Sequence, residues 1–460
     1  MLMAGHRGFL REAASAGRPS WLDGCVAALA LSSVFGLMGS TWRVDCDSPA
    51  CEDRIGFVVA QASSGDSIII GPGTYYEHIP IAGKSLTFLA PEGPERTVLD
   101  GSVTFPGREG SIIYAVGGAS ASLSLTGVTL RRGTGAVPPG GLRSGGAISW
   151  WNNFIGGCSL ALTDCDFLSN STGDSGGQGG AVYIFCVPDV RISSCRFRDN
   201  TAGYFGGALD ILSCGGSFLI SNCAFEVTPC AHHGGTAVYA EGGGDLKIEN
   251  SRFTSTGDVS YMKMVTTRMD DVELTRNTFV SYSGGLATRL YFGSSGIGYS
   301  MQGLTLQGNV LWNPCSGDSI CEEGIEIVLT QAEATIVENT LARCGISSDI
   351  PSGLPLECRN NIVYRGAASI RNVAGGSIRC NDAWPDSIHG EGENLVFERN
   401  ISADPLFCNE GLGDFHIAWQ SPCAEGNAPP GCGRIGALPE ACDITPVRRI
   451  TWGGIRGLFR

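Results

Sequence analysis

The chain reads as all-β, a solenoid of stacked coils in the form of a parallel β-helix. Three observations predict this. Glycine supplies 67 of 460 residues, about twice the ~7% of an average protein and without a Gly-X-Y period, so the chain must turn tightly and often. From residue 85 to 400 it consists of short apolar runs rich in Val, Ile, Leu and Phe, cut by Gly, Asn, Asp and Ser, with no amphipathic stretch of helical length; such runs bounded by turn residues are strands. Third, a unit recurs: Cys165-Asp-Phe167-Leu-Ser-Asn170 returns as Cys195-Arg-Phe197-Arg-Asp-Asn200 and, decayed, as Cys223-Ala-Phe225.

Later turns carry Asn277-Thr-Phe279, Asn309-Val-Leu311, Asn339-Thr-Leu341 and Asn361-Ile-Val363, and Phe253 after Asn250 fills the one long gap, giving steps of 22 to 32 residues. Self-similarity at that period means a solenoid. A coil of about 25 residues holds three short strands and three turns, and coils stacked in register at ~4.8 Å bury their apolar alternate positions. About ten coils are expected. Inward Phe and Leu would stack along the bore, and Asn at a repeated corner would take a left-handed backbone and hydrogen-bond its copy on the next coil. Cys165, Cys195 and Cys223 would stack the same way, as small core residues.

A second marker precedes each anchor: Gly145-Gly-Ala-Ile-Ser-Trp150, Gly179-Gly-Ala-Val-Tyr-Ile184, Gly206-Gly-Ala-Leu-Asp-Ile211 and, with one residue inserted, Gly234-Gly-Thr-Ala-Val-Tyr239. Gly-Gly-Ala followed by Ile, Val or Leu, and then Phe-x-x-Asn, resembles the repeat of the polymorphic outer-membrane protein family and of right-handed β-helix proteins in the pectate-lyase-like superfamily. The resemblance covers roughly residues 55–420 and implies a right-handed, single-stranded solenoid. Residues 54–61 can form one short amphipathic helix, and Gly65 to Tyr75 reads as turn, strand, turn; together they are similar to the superfamily's N-terminal cap and first coil. Ile401 to Phe407, Gly413 to His416 and Ser421 to Cys423 resemble the closing segment of secreted bacterial β-helix proteins, and Thr451 to Arg460 resembles a short terminal peptide found on some of them. Nothing here resembles the membrane β-barrel that ends an autotransporter.

The ends set the organisation: 1–40 export leader, 41–84 cap and first coil, 85–400 repeats, 401–445 closing segment, 446–460 tail. The leader places Arg7, Arg11 and Arg18 before an uncharged stretch from Val26 to Met38, as an export signal does; that stretch is too short for a membrane-spanning helix and none later is longer. Without 1–40 the cysteine count is even, no Cys-x-x-Cys occurs, and disulfides in an oxidising compartment are expected rather than zinc. The formal charge of −14, with Lys only at 84, 247 and 263, tells against nucleic-acid binding. The tail sets Trp452, Ile455 and Phe459 among Arg448, Arg449, Arg456 and Arg460, as a sorting or docking peptide or a frayed end would.

In the glycine-led strands, Ile148, Val182, Leu209 and Val238 are expected to point in, and Ser149, Tyr183, Asp210 and Tyr239 out; two residues on, Trp151, Phe185, Leu212 and Glu241 also point out. An exposed row of aromatics beside carboxylates is what a sugar-binding face requires. The candidate ligand-binding residues are therefore Trp151, Tyr183, Phe185, Asp210, Tyr239 and Glu241, the alternative being that a loop covers the aromatics. Asp210 and Glu241, on adjacent coils and offset by two residues, are the candidate catalytic pair at a separation used by glycoside hydrolases. The polygalacturonase motifs are otherwise missing, although Asp270-Asp271 follows Met269, and no calcium-binding acid loop occurs. His232-His233 reads as an exposed loop pair, and His78, His389 and His416 as isolated. No metal or cofactor is called for. The sequence therefore reads as an exported or surface-displayed monomeric binding or adhesion module for a polysaccharide or surface protein, with a polysaccharide lyase or glycoside hydrolase and a cell-envelope spacer as alternatives.

Overall fold

The computed structural model describes residues 39–443 apart from 47–50, 53, 103–109, 119, 138–140, 153–155, 174–175, 228–236, 256–262, 283–288, 294–300, 315–323, 329–331, 350–354 and 374. The leader up to residue 38, the His232-His233 pair, the start of the fourth glycine marker and the tail from 444 lie outside the described residues. Apart from one α-helix and one short 3-10 turn, the described elements are strands. Two parallel sheets run through the stack, one of 24 strands and one of 13. Each coil contributes two strand segments to the larger sheet and one to the smaller. Thirteen rungs exceed the expected ten because the stack already begins at Cys51–Glu52 and continues to Asp382–Trp384.

Alternation drives the assembly. Phe167, Phe197, Phe225, Phe253 and Phe279 occupy one register position of the smaller sheet, all buried. Their rings stack face to face at 4.6, 4.7, 4.5 and 4.8 Å, the strand spacing itself. Leu311, Leu341, Val363 and Ala383 continue the column. In the larger sheet Leu162, Ile192, Ile220, Ile248, Leu274, Leu306 and Ile336 form another buried column.

The polar corner before the smaller sheet is also a column. Cys165, Cys195, Cys223, Ser251, Asn277, Asn309, Asn339, Asn361, Asn381 and Asn400 take equivalent places in successive coils. Thiol, hydroxyl and amide thus share one ladder. The three cysteines are buried free thiols, as expected of small core residues. The Cys223 backbone N–H donates to Ser251 Oγ at 3.1 Å, and the Ser251 N–H to Asn277 Oδ1 at 2.9 Å. The left-handed backbone falls elsewhere than expected: it belongs to the residue before each rung, Asp164, Ser194, Asn222, Asn250, Arg276, Glu338, Asn360, Cys380 and Arg399 with φ between 50° and 57°, and Gly308 with φ 66°. That leaves the ladder side chain aimed inward.

The paired glycines have separate duties. Gly145, Gly179 and Gly206 adopt φ of 56°, 60° and 58°, and a Cβ on Gly146 or Gly180 would meet the carbonyl oxygen of the next coil at 2.1 Å. The first therefore makes the corner and the second admits the neighbouring coil.

The N-terminal end is closed by the helix Arg54–Gln61, which buries Ile55 and Val59. Glu77 caps it, accepting the N–H groups of Ile55 and Gly56 at 2.6 and 2.7 Å, while Lys84 Nζ donates to the carbonyls of Val59 and Ala62 at 2.9 and 2.8 Å. These contacts satisfy groups that a short helix leaves open. The closing segment does not plug the far end. Phe415, Ile417, Cys423, Ala424 and Ile435 pack on Val310, Ala342, Ile362 and Tyr364, the outer side of the smaller sheet, and disulfides Cys380–Cys432 and Cys408–Cys442 hold the segment there. Cys46–Cys51 and Cys186–Cys214 are the other two bonds among the described residues. No helix of the described residues is long and apolar enough to cross a membrane.

Candidate functional site

The register is the expected one. Ser149 pairs with Tyr183, Tyr183 with Asp210 and Asp210 with Tyr239, while two residues on Trp151, Phe185, Leu212, Glu241 and Arg268 form a parallel row. Exposure departs from expectation. Ser149, Tyr183, Asp210 and Tyr239 turn away from the bore yet are buried, at 0%, 2%, 0% and 2% exposure.

Their cover is local in origin. Ser144, Gln178 and Phe205, each just before a glycine pair, bridge to one another coil on coil and lie over the row. Ser144 Oγ meets Ser149 Oγ at 2.9 Å, and the Phe205 ring stacks on Tyr239 at 4.1 Å. Trp151 also leans across, its ring 5.3 Å from Tyr183 and 5.0 Å from Phe185, its Nε1 donating to Ser149 Oγ at 3.1 Å. The expected open face of Tyr183, Asp210 and Tyr239 is therefore a floor, sealed by the same residues that turn the chain into each coil.

Asp210 is the outlier of that floor. Both carboxylate oxygens are buried without a hydrogen-bond partner, and burial, then the charge of Glu241, pushes its carboxyl well above the ordinary range. Burial likewise raises the Tyr183 and Tyr239 phenols, helped by Asp210 at Tyr183 and by the hydrogen bond to Glu241 at Tyr239. The Tyr239 hydroxyl donates to Glu241 Oε2, and Arg268 Nη1 stands 3.5 Å from Glu241 Oε1. The acids thus differ in kind: Glu241 is held by a phenol and a guanidinium at the surface, while Asp210 is enclosed, where burial favours its uncharged form.

What remains open is the outer row. Trp151, Phe185, Leu212, Glu241 and Arg268 are each half-buried, with exposed Tyr204 against Phe205 at 4.2 Å. Five rungs at ~4.8 Å make a strip about 19 Å long, with two aromatic rings at one end and an acid–guanidinium pair at the other. Flat rings stack on apolar faces, and the pair supplies acceptors and donors for hydroxyls.

A second surface escaped the sequence reading. A groove of about 500 Å³ runs along neighbouring strands between Ser217, Asp245, Lys247, Asp271, Glu273 and Thr305. Gly303 makes room for it, since a Cβ there would meet Asp271 Oδ1 at 2.4 Å. Lys247 is engaged by Glu273 at 2.9 Å and Glu249 at 3.4 Å. Burial, then the charges of Asp245 and Asp270, raises the Asp271 carboxyl.

The histidines read as isolated each have a neighbour: His78 Nδ1 lies 2.9 Å from the Ser111 carbonyl, His389 Nε2 3.2 Å from Ser387 Oγ, and His416 Nδ1 2.7 Å from Asp414.

A family profile described as "Right handed beta helix region" matches residues 207–383. Among solved structures the chain is similar to the Streptococcus pneumoniae surface protein and adhesin PfbA, with a TM-score of 0.32 and 12% identity over 75% of this chain and 93% of that one. No curated protein matches the sequence. The molecule is a right-handed parallel β-helix repeat protein.

Proposed function

We propose that this β-helix is an exported or surface-displayed, non-catalytic binding module, and that its ligand is a polysaccharide chain lying along Trp151, Phe185, Leu212, Glu241 and Arg268. The observation that carries the reading is the half-exposed row itself, in which rings, carboxylate and guanidinium follow one another along the solenoid axis. A linear polymer meets such a row in register, each coil offering one contact. The four disulfides support an oxidising, extracellular setting.

A second reading, hydrolysis or elimination at the Asp210–Glu241 pair, is favoured by the raised carboxyl of Asp210 beside a carboxylate of different environment, a pattern that acid–base pairs share. It ranks below binding because Asp210 is wholly enclosed and no substrate atom reaches it in this conformation.

The test is a glycan-array screen of the full chain beside Trp151→Ala/Phe185→Ala, with reducing-end and unsaturated-product assays on every hit. Binding lost by at least tenfold in the double variant, without product, supports the lectin-like reading. Product that disappears in Asp210→Asn would replace it with the enzyme. Absence of any glycan hit would sink both and favour the envelope spacer or a protein partner.

A further inference from the structure

The two ends of the stack are finished differently. Helix Arg54–Gln61 covers the first coil, whereas the closing segment lies along the flank of the smaller sheet. Among the described residues, the last two strands of the larger sheet, Ile388–Gly392 and Leu395–Glu398, pair on one side only, with Ala368–Val373 and Gly376–Arg379.

Phe397 follows Ile336, Cys358 and Ile378 in an inward column. Those three are buried and Phe397 is 44% exposed, with Val396 at 47%. Ile388 and Leu395 are half-covered. On these two strands and the turns flanking them stand exposed Asp386, Glu391, Glu393 and Glu398 against Arg399, with Arg371 and Arg379 one coil back. An open strand edge over a hydrophobic floor is a template for a further strand, and the acidic rim selects a basic one. It also disfavours a second copy of the same end, which would set acid against acid.

A fitting segment belongs to this chain. Residues 444–460 carry four arginines and no acid, and place Ile450 and Trp452 in one phase before Gly453-Gly454 and Ile455 and Phe459 in one phase after it, with Leu458 in the opposite phase. Strand, glycine pair, strand joins the two halves of a coil at two places in this protein. Gly215-Gly216 does so between Leu212 and Phe218, and Gly375-Gly376 between Val373 and Ile378, with φ of 112°, 130° and 129° at Gly215, Gly216 and Gly376. The tether is short, since Cys442 is bonded to Cys408, eight residues past Asn400, the last member of the ladder.

We propose that residues 448–459 dock on this end as one more half-coil, 448–452 along Ile388–Gly392 and 455–459 along Leu395–Glu398. Ile450, Trp452, Ile455 and Phe459 then cover the floor, and Arg449, Arg456 and Arg460, in the opposite phase, meet the acidic rim. The tail is a cap for the bore rather than a free peptide.

Amide exchange on the full-length chain and on a chain ending at Thr445 tests this. Amides of 388–398 should be protected in the full chain, exchange at least tenfold faster in the truncated one, and recover with a synthetic 446–460 peptide. Trp452→Asp/Phe459→Asp should reproduce the truncation without shortening the chain. Equal exchange in the full and truncated chains overturns the proposal. Protection that grows with protein concentration alongside a dimer mass by light scattering overturns the intramolecular form and assigns the end to a second copy's tail.

Discussion

Asn277 directs two donors at one atom of Asn309: its backbone N–H and its side-chain Nδ2 reach Asn309 Oδ1 at 2.9 and 3.1 Å. Asn309 repeats this on Asn339, Asn339 on Asn361, Asn361 on Asn381 and Asn381 on Asn400. Each amide also donates back into the previous coil, as Asn309 Nδ2 does to the Leu274 carbonyl at 2.7 Å. Asn309→Ala would strand the Asn277 N–H in a buried corner. A loss of about 2–4 kcal/mol is expected, one hydrogen-bond network member plus an unsatisfied donor. Urea midpoints measure it, and a change below about 1 kcal/mol would make the ladder ornamental.

The sulfur end of the ladder makes a different forecast. Hydrogen bonds to Cys165 and Cys223, with burial added, push the Cys195 thiol up, away from the reactive thiolate. Because all three are buried, iodoacetamide at pH 8 should leave Cys165, Cys195 and Cys223 unlabelled in the native protein and label all three in unreduced, denatured protein. Protection persisting in denaturant would mean that they are disulfide-bonded. Cys195→Ser should be tolerated to within about 1–2 kcal/mol, since Ser251 already fits an equivalent rung.

Asp382 ties the closing segment to the last rung of the smaller sheet. Its Oδ1 accepts the Ala403 N–H at 3.0 Å and its Oδ2 the Cys423 thiol at 3.1 Å, while burial raises its carboxyl to about 6. A raised folded value means stability fully present below the unfolded pKa near 4 and lost as pH rises through 6. Relative to Asp382→Asn, the wild type should lose roughly 2–3 kcal/mol between pH 4 and pH 7. Thermal midpoints of both proteins across that range check it; parallel profiles would refute it.

Asp210 obeys the same sign without a partner to soften it. Asp210→Asn should stabilise the protein at pH 8 by about 1–3 kcal/mol, read as a higher melting midpoint, with the gap closing toward pH 4. A variant no more stable than wild type at pH 8 would mean that this carboxylate is accommodated in its pocket.

Much of the fold was legible because the solenoid repeats its instructions. Phe167, Phe197 and Phe225 announce the period, and Gly145, Gly179 and Gly206 the corners. The site was legible only halfway. Alternation says which way Tyr183 and Asp210 turn relative to the sheet, but not that Phe205, from a preceding loop, will lie on top of them. Trp151, Phe185 and Glu241 escape by standing two residues further along. The left-handed residues were misplaced because Ser194, Arg276 and Glu338 share no chemical type, only a position in the corner. The groove lined by Gly303 was missed because it is formed by residues of four coils brought side by side, none of which carries a motif.

The ladder running from Cys165 to Asn400 also bears on how such a protein can change. Every rung recognises only its two neighbours, so a whole coil is a removable cassette: excising residues 277–308 would bring Ser251 directly onto Asn309, and Phe253 onto Leu311, with each contact chemically familiar. Overall length is therefore free to drift in evolution while the cross-section stays fixed, and relatives should differ by complete turns more readily than by fractions of one.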